Sequence, residues 1–245
     1  MSGIFHSFKK SLGKGGDARP DMDFVDAKAR FEQYQDVLLK LKGNVANYLT
    51  HATALFVSSA QITQDFATLL DDGALAGRET GPHEYSELAA SMRSEHQSLA
   101  QEQSGKLQHS FSTTLLSEID AECVRNSELS KRVARRIEVF SELGYYQKKV
   151  NELRDERAAR ASKGKTESAS DTDKFERNQK KLQEYEVMFH EINGSVMSDL
   201  HQVWDAQRIA KMGPLLQRFL QHERKLADAY TATLANIKDK GFVTP

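Results

Sequence analysis

The sequence predicts an all-α protein, three long kinked helices packed as an antiparallel coiled coil. Three observations carry that prediction. Stepping through the chain at alternating three- and four-residue intervals meets Phe24, Ala27, Phe31, Tyr34, Leu38, Leu41, Val45, Tyr48, Ala52, Leu55, Ser59, Ile62, Phe66 and Leu69. Only Ser59 is not apolar, so an a/d heptad seam runs the length of this stretch. Four Pro and fourteen Gly in 245 residues leave long stretches free of helix breakers. The mean hydropathy of −0.61 is low for a compact globule and suits narrow rods, whose surface is large for their core.

The N-terminal segment, residues 1–16, reads as a short amphipathic helix. At about 100° per residue, Ile4, Phe5, Phe8 and Leu12 share one arc, and Lys9, Lys10 and Lys14 fall on the other side. Gly13, Gly15 and Gly16 end it. Phe opposite Lys suits an interfacial helix inserted shallowly among lipid headgroups; a staple docked on the protein's own core is the other reading. The second residue is Ser, so the myristoylation pattern is absent. The main domain is expected over residues 17–240. Its first helix spans about 21–70, and Gly73, Gly77, Gly81 and Pro82 mark the loop that follows.

The second helix is expected over about 83–161, with a less regular seam. Leu88, Met92, Leu99, Leu107, Phe111, Leu115 and Ile119 form its first half; Leu129, Val133, Phe140, Leu143 and Val150 form its second. Arg136 and Gln147 fall in line with that second half, and Gly144 is a candidate kink. Residues 162–173 are a polar, low-complexity turn, and Asp171 to Asp173 offer N-caps. The third helix is expected over about 174–238. It carries one seam from Phe175 to Val196 and another from Met212 to Ile237, interrupted at Gly213-Pro214. The second helix overhangs a three-helix monomer, and such overhangs are closed economically by a second copy packed antiparallel as a C2 homodimer.

No nucleotide-binding glycine loop and no H-E-x-x-H zinc motif occurs. The eight His residues are scattered, none three or four residues from another. No enzyme, no cofactor and no metal are expected. Cys123 is the only cysteine, which excludes an intrachain disulfide and suits a cytoplasmic setting. No 18-residue apolar run spans a membrane, and no apolar stretch follows Lys9 and Lys10 to form a secretory leader.

The net charge of −1 conceals a segregation. Residues 1–19 carry +3. Residues 125–181 hold sixteen Lys/Arg against ten Asp/Glu, a balance of +6. Besides Arg125, the bases are Lys131, Arg132, Arg135 and Arg136, then Lys148, Lys149, Arg154, Arg157, Arg160, Lys163 and Lys165, then Lys174, Arg177, Lys180 and Lys181 beyond the turn. An antiparallel hairpin sets these groups side by side. Such a face fits an anionic membrane, where each base near the surface contributes about 1 kcal/mol. Nucleic acid is not expected, because no aromatics or groove-reading helix are interleaved with the bases.

Two stretches resemble the N-BAR domains of the amphiphysin and endophilin type. Arg135-Arg136-Ile137-x-x-Phe140 is similar to that family's basic-basic-aliphatic-x-x-aromatic stretch. Phe189-x-Glu191-Ile192-Asn193, followed by Asp199-Leu200 and Val203-Trp204, is similar to the amphiphysin third-helix pattern. The order of elements also matches, over essentially the whole chain. One departure is Val139-Phe140-Ser141, where the family carries an acidic-aromatic-acidic run. The resemblance implies a crescent-shaped six-helix homodimer that senses or induces curvature in anionic membranes, as in endocytosis, and works as a cytoplasmic, peripheral membrane protein. It implies membrane insertion by Ile4, Phe5, Phe8 and Leu12. The anionic-lipid contacts are expected from Lys9, Lys10, Lys131, Arg132, Arg135, Arg136, Lys148, Lys149, Arg154, Arg157, Lys163 and Lys165. The alternative is an arfaptin-like dimeric scaffold that binds a small GTPase or another protein helix.

Overall fold

Pro-free stretches with apolar residues at heptad spacing fold here as helices, and the described residues contain no strand. The structure, a computed structural model, describes residues 21–70, 85–203, 210 and 212–238. Helix α1 is Met22–Leu70, α2 is Ser86–Ser110, and α2 passes through a π-helical turn, Phe111–Leu116, into α3, Ser117–Ala161. Helices α4, Ala169–Gln202, and α5, Met212–Lys238, follow among the described residues. The expected N-terminal helix and the loop after residue 70 lie outside the described residues.

The chain divides into two compact units. One holds residues up to Gln35 together with Val124–Asp205; the other holds Asp36–Cys123 with the residues from Ala206 onward. In the first unit, Phe24, Ala27 and Phe31 of α1 pack against Leu129 and Val133 of α3 and against Val196, Leu200 and Val203 at the end of α4. The opposed pairs Phe140 with Phe189, at 5.2 Å, and Tyr146 with Tyr185, at 5.3 Å, carry α3 and α4 outward as an antiparallel hairpin.

The second unit has an aromatic centre. Phe111 lies 5.7 Å from Tyr48, 6.3 Å from Phe219 and 4.5 Å from the His222 ring. Farther along, Tyr230 packs on Phe56 and His96. Both histidines buried among the described residues have partners. His222 meets the hydroxyls of Ser110 and Thr114, and His96 Nδ1 lies 3.0 Å from the Met92 carbonyl.

Four details depart from expectation. A π-helical irregularity in the second long helix sits at Phe111–Leu116, where none was expected, and Gly144 lies inside α3. In that π-turn the Ser117 N–H reaches back to the Ser112 carbonyl. The Thr114 carbonyl in that turn accepts from Arg218 Nη1 at 3.1 Å. Next, α4 begins at Ala169, ahead of the expected Lys174, because Ser168 is the N-cap and accepts from the Asp171 N–H at 3.2 Å. The interruption of the third long helix precedes Gly213-Pro214. Pro214 stands in the first turn of α5, where a missing N–H leaves no helical bond unmade. Finally, Leu41, Leu55, Ile62, Phe66 and Leu69 of the expected seam are exposed in the single chain, while Phe56 and Thr63 are buried.

Candidate functional site: the basic helical hairpin

The α3–α4 hairpin is closed by a turn whose geometry follows from its residues. Lys165 N–H bonds the Arg160 carbonyl and Gly164 N–H the Ala161 carbonyl, a Schellman end to α3. It needs a left-handed residue, and Gly164, at φ 64°, provides it. Lys165–Ser168 then run without helix to the Ser168 cap. Two ion pairs span the turn: Arg157 Nη2 to Glu167 at 2.6 Å and Arg160 Nη1 to Asp171 at 2.5 Å. Hydrogen bonds from Ser168, then Arg160, hold the Asp171 carboxyl below its usual range. The Arg157 guanidinium also lies over the Phe175 ring at 4.4 Å.

The expected cationic residues separate into three groups. In the first, each base is matched by an acid. Lys131 pairs with Glu128 at 2.6 Å, Arg132 with Asp199, and Arg135 with Glu138 at 2.6 Å. The Glu138 bond raises the Arg135 pKa. Lys149 lies 3.9 Å from Glu152, and Arg157 is held by Glu167. All remain at least partly exposed, but their fields are largely cancelled locally.

The second group is Arg136 alone, and here the expectation is corrected. Arg136 is 1 % exposed. Its Nε donates to Asn193 Oδ1 at 2.7 Å, its Nη2 to Asp21 Oδ2 at 2.6 Å, and its Cζ stands 3.5 Å from the Phe24 ring centroid. Burial lowers its pKa while Asp21 opposes that shift. A lipid phosphate has no route to this guanidinium. The apparent break in the α3 seam at Arg136 is a core position occupied by a cation whose hydrogen-bond donors are met from the α1 terminus and from α4.

The third group is free. Lys148, Arg154, Lys163 and Lys165 are exposed and have no carboxylate within 4 Å among the described residues; Arg154 reaches only the Asn151 amide oxygen, at 3.4 Å. Lys174 and Arg177 of α4 are in the same condition, and Lys180 is exposed too, but its charge, after the Lys181 hydrogen bond, helps to lower the pKa of Glu184. These three belong to the basic stretch of the sequence; their neighbour Lys181 differs in pairing with Glu184, three residues on along the same helix, at 2.8 Å. Ile4, Phe5, Phe8, Leu12, Lys9 and Lys10 lie outside the described residues.

A recess between Leu153, Arg157, Arg160, Glu167, Asp171 and Phe175 has room for about one water, ≈ 10 Å³. Among the described residues no three His, Cys, Asp or Glu side chains gather as metal ligands, and no helix is long and apolar enough to cross a membrane. The surface can therefore attract an extended anion through exposed ammonium and guanidinium groups. Comparison with models of known protein families and with curated proteins found no match.

Proposed function

We propose that this chain binds anionic membranes and senses or induces their curvature as an N-BAR-type homodimer. The observation that carries the reading is the free group of cations on the hairpin, Lys148, Arg154, Lys163, Lys165, Lys174 and Arg177, on an all-helical frame whose other hairpin bases are largely paired. At about 1 kcal/mol per base near an anionic surface, six such groups suffice for firm peripheral attachment. The N-terminal segment, with Ile4, Phe5, Phe8 and Leu12 opposite Lys9 and Lys10, adds a shallow hydrophobic anchor in this reading. Acidic phospholipid is the ligand, and cytoplasmic leaflets are where it is abundant.

A second copy is supported by an apolar stripe. Val37, Leu41, Leu55, Ile62, Phe66 and Leu69 fall within about 80° of one another around α1, and all are exposed in the single chain. Leu216, Leu220 and Leu234 of α5, in the same unit, are exposed too. Monomers rarely leave so much aliphatic surface in water, and a two-fold partner covers like with like. The same stripe supports the alternative reading, a scaffold on which a small GTPase or another helix docks.

Cosedimentation with vesicles rich or poor in phosphatidylserine, with negative-stain microscopy of the pellets, tests the proposal. The expected outcome is binding and tubules on the acidic vesicles. Replacing Lys148, Lys163, Lys165 and Lys174 by Ala together should weaken binding by about a hundredfold or more. A folded protein that ignores both vesicle types would overturn the membrane reading and favour the scaffold.

A further inference from the structure

The hairpin turn carries five hydroxyl side chains, and the structure ties down three of them. Ser162 Oγ donates to the Ala159 carbonyl at 3.0 Å. Ser168 Oγ donates to Asp171 Oδ2 at 2.8 Å and accepts from the Asp171 N–H. Thr172 Oγ1 donates to the Ser168 carbonyl at 3.3 Å. Ser170 is exposed but sits in the first turn of α4, where the backbone is already helical. Thr166 differs from all of these. It is exposed, its hydroxyl has no partner among the described residues, and it lies within Lys165–Ser168, which is neither helix nor strand.

Its surroundings are selective as well. Lys163 and Lys165, three residues and one residue before it, are exposed and have no carboxylate within 4 Å among the described residues. Glu167, one residue after it, is turned back onto Arg157 at 2.6 Å. The free charge flanking Thr166 is therefore positive and lies on its N-terminal side. A substrate cleft that takes an extended segment and carries acidic side chains would read this pattern.

We propose that Thr166 is the phosphoacceptor of a basophilic serine/threonine kinase, and that phosphate there weakens the attraction of the hairpin tip for anionic surfaces. The second half rests on the membrane reading above. In the transfer, Thr166 Oγ1 attacks the γ-phosphorus of ATP. The new O–P bond forms as the β–γ bridging P–O bond breaks, ADP leaves, and the hydroxyl proton passes to the kinase's catalytic base. The product carries a charge of about −1.5 to −2 near neutral pH. Set between Lys163 and Lys165 on one side and the α4 bases on the other, it offsets both ammonium groups at the most distal part of the hairpin.

The test uses the full chain. It is incubated with ATP and the catalytic domain of a basophilic kinase, and the modified positions are mapped over time by mass spectrometry. Thr166 should be modified ahead of Ser162, Ser168, Ser170 and Thr172, and Lys163→Ala with Lys165→Ala should slow that step. Preferential modification of another hydroxyl, or an unchanged rate in the lysine variant, overturns the assignment. The phosphorylated protein is then cosedimented with phosphatidylserine vesicles beside the untreated protein and kinase-treated Thr166→Ala. Binding about tenfold weaker on phosphorylation, with Thr166→Ala unaffected, is the expected result. Equal binding of modified and unmodified protein overturns the regulation and leaves the membrane reading standing. Failure of the unmodified protein to bind overturns the membrane reading and the regulation together, while the mapping still decides the phosphoacceptor.

Discussion

Asp21→Asn isolates one charge at a buried pair. Asp21 has two roles: its Oδ1 accepts from the Phe24 N–H at 3.2 Å as the cap of α1, and its Oδ2 accepts from Arg136 at 2.6 Å. Asn caps a helix about as well as Asp, so the substitution keeps the cap and removes the counter-charge. Breaking a buried ion pair costs about 3–5 kcal/mol when the remaining ion is fully enclosed. Here the Arg136 side chain is 2 % exposed and that of Asp21 is 37 % exposed. The stranded guanidinium also keeps Asn193 and the Phe24 ring. A loss of about 2–3 kcal/mol is therefore expected for Asp21→Asn. Arg136→Met removes the buried cation along with its desolvation and should stay within about 1 kcal/mol of the parent. In that background Asp21→Asn should cost almost nothing further. Urea denaturation followed by circular dichroism gives the totals, and amide exchange places the loss among residues of the first unit. If Asp21→Asn falls within about 0.5 kcal/mol of the parent, or costs as much in the Arg136→Met background as in the parent, the ion pair does not act as argued. Vesicle binding provides an independent reading: Arg136→Met should leave it unchanged, and a strong loss would return Arg136 to the lipid-contacting set.

The remaining predictions concern the second unit and the hairpin. Burial, with Lys225 second, lowers the His222 pKa below 6.5, so the unfolded chain binds more protons than the folded one below that value. Stability should hold above about pH 6.5 and fall as pH drops from there toward the lower folded-state pKa, and His222→Gln should flatten the dependence of the urea midpoint on pH. Ile62→Ser with Phe66→Ser should shift sedimentation from dimer to monomer with helicity retained; an unchanged dimer would remove α1 from the proposed interface. Ser168→Ala removes the cap of α4 and should cost about 1 kcal/mol, read as faster amide exchange in its first turn; unchanged exchange there would mean the cap is not holding that end.

Helix content was legible in the sequence because it depends on local periodicity and on the scarcity of Pro and Gly, and both act within a few residues. The a positions Phe24, Phe31, Leu38, Val45 and Ala52 are buried as the heptad requires. Leu41, at a d position, is already exposed, and beyond Ala52 the rule loses its hold. Phe56 and Thr63 enter the core while Leu55, Ile62, Phe66 and Leu69 remain outside, because an apolar residue on a helix records only that it is apolar and not which neighbour covers it. The Asp171–Asp173 run offers caps, yet Ser168 is the one used, since the Schellman turn at Gly164 delivers the chain to α4 earlier. The basic stretch was equally plain as composition, and its division was not. Lys163 and Arg157 look alike in sequence, but Glu167 faces Arg157 across the turn, and no acid within 4 Å faces Lys163 among the described residues. Arg136 is the sharpest case. One residue from the exposed Arg135, it is enclosed by Phe24, Asp21 and Asn193, brought from far along the chain. The sequence by itself determined that the chain is built of long helices, where its charge accumulates and which bases have an acid three residues away on the same helix; tertiary structure decided which bases are buried or paired from one helix to another, as for Arg136 and Arg132, because those contacts depend on residues that only packing brings within a few ångströms.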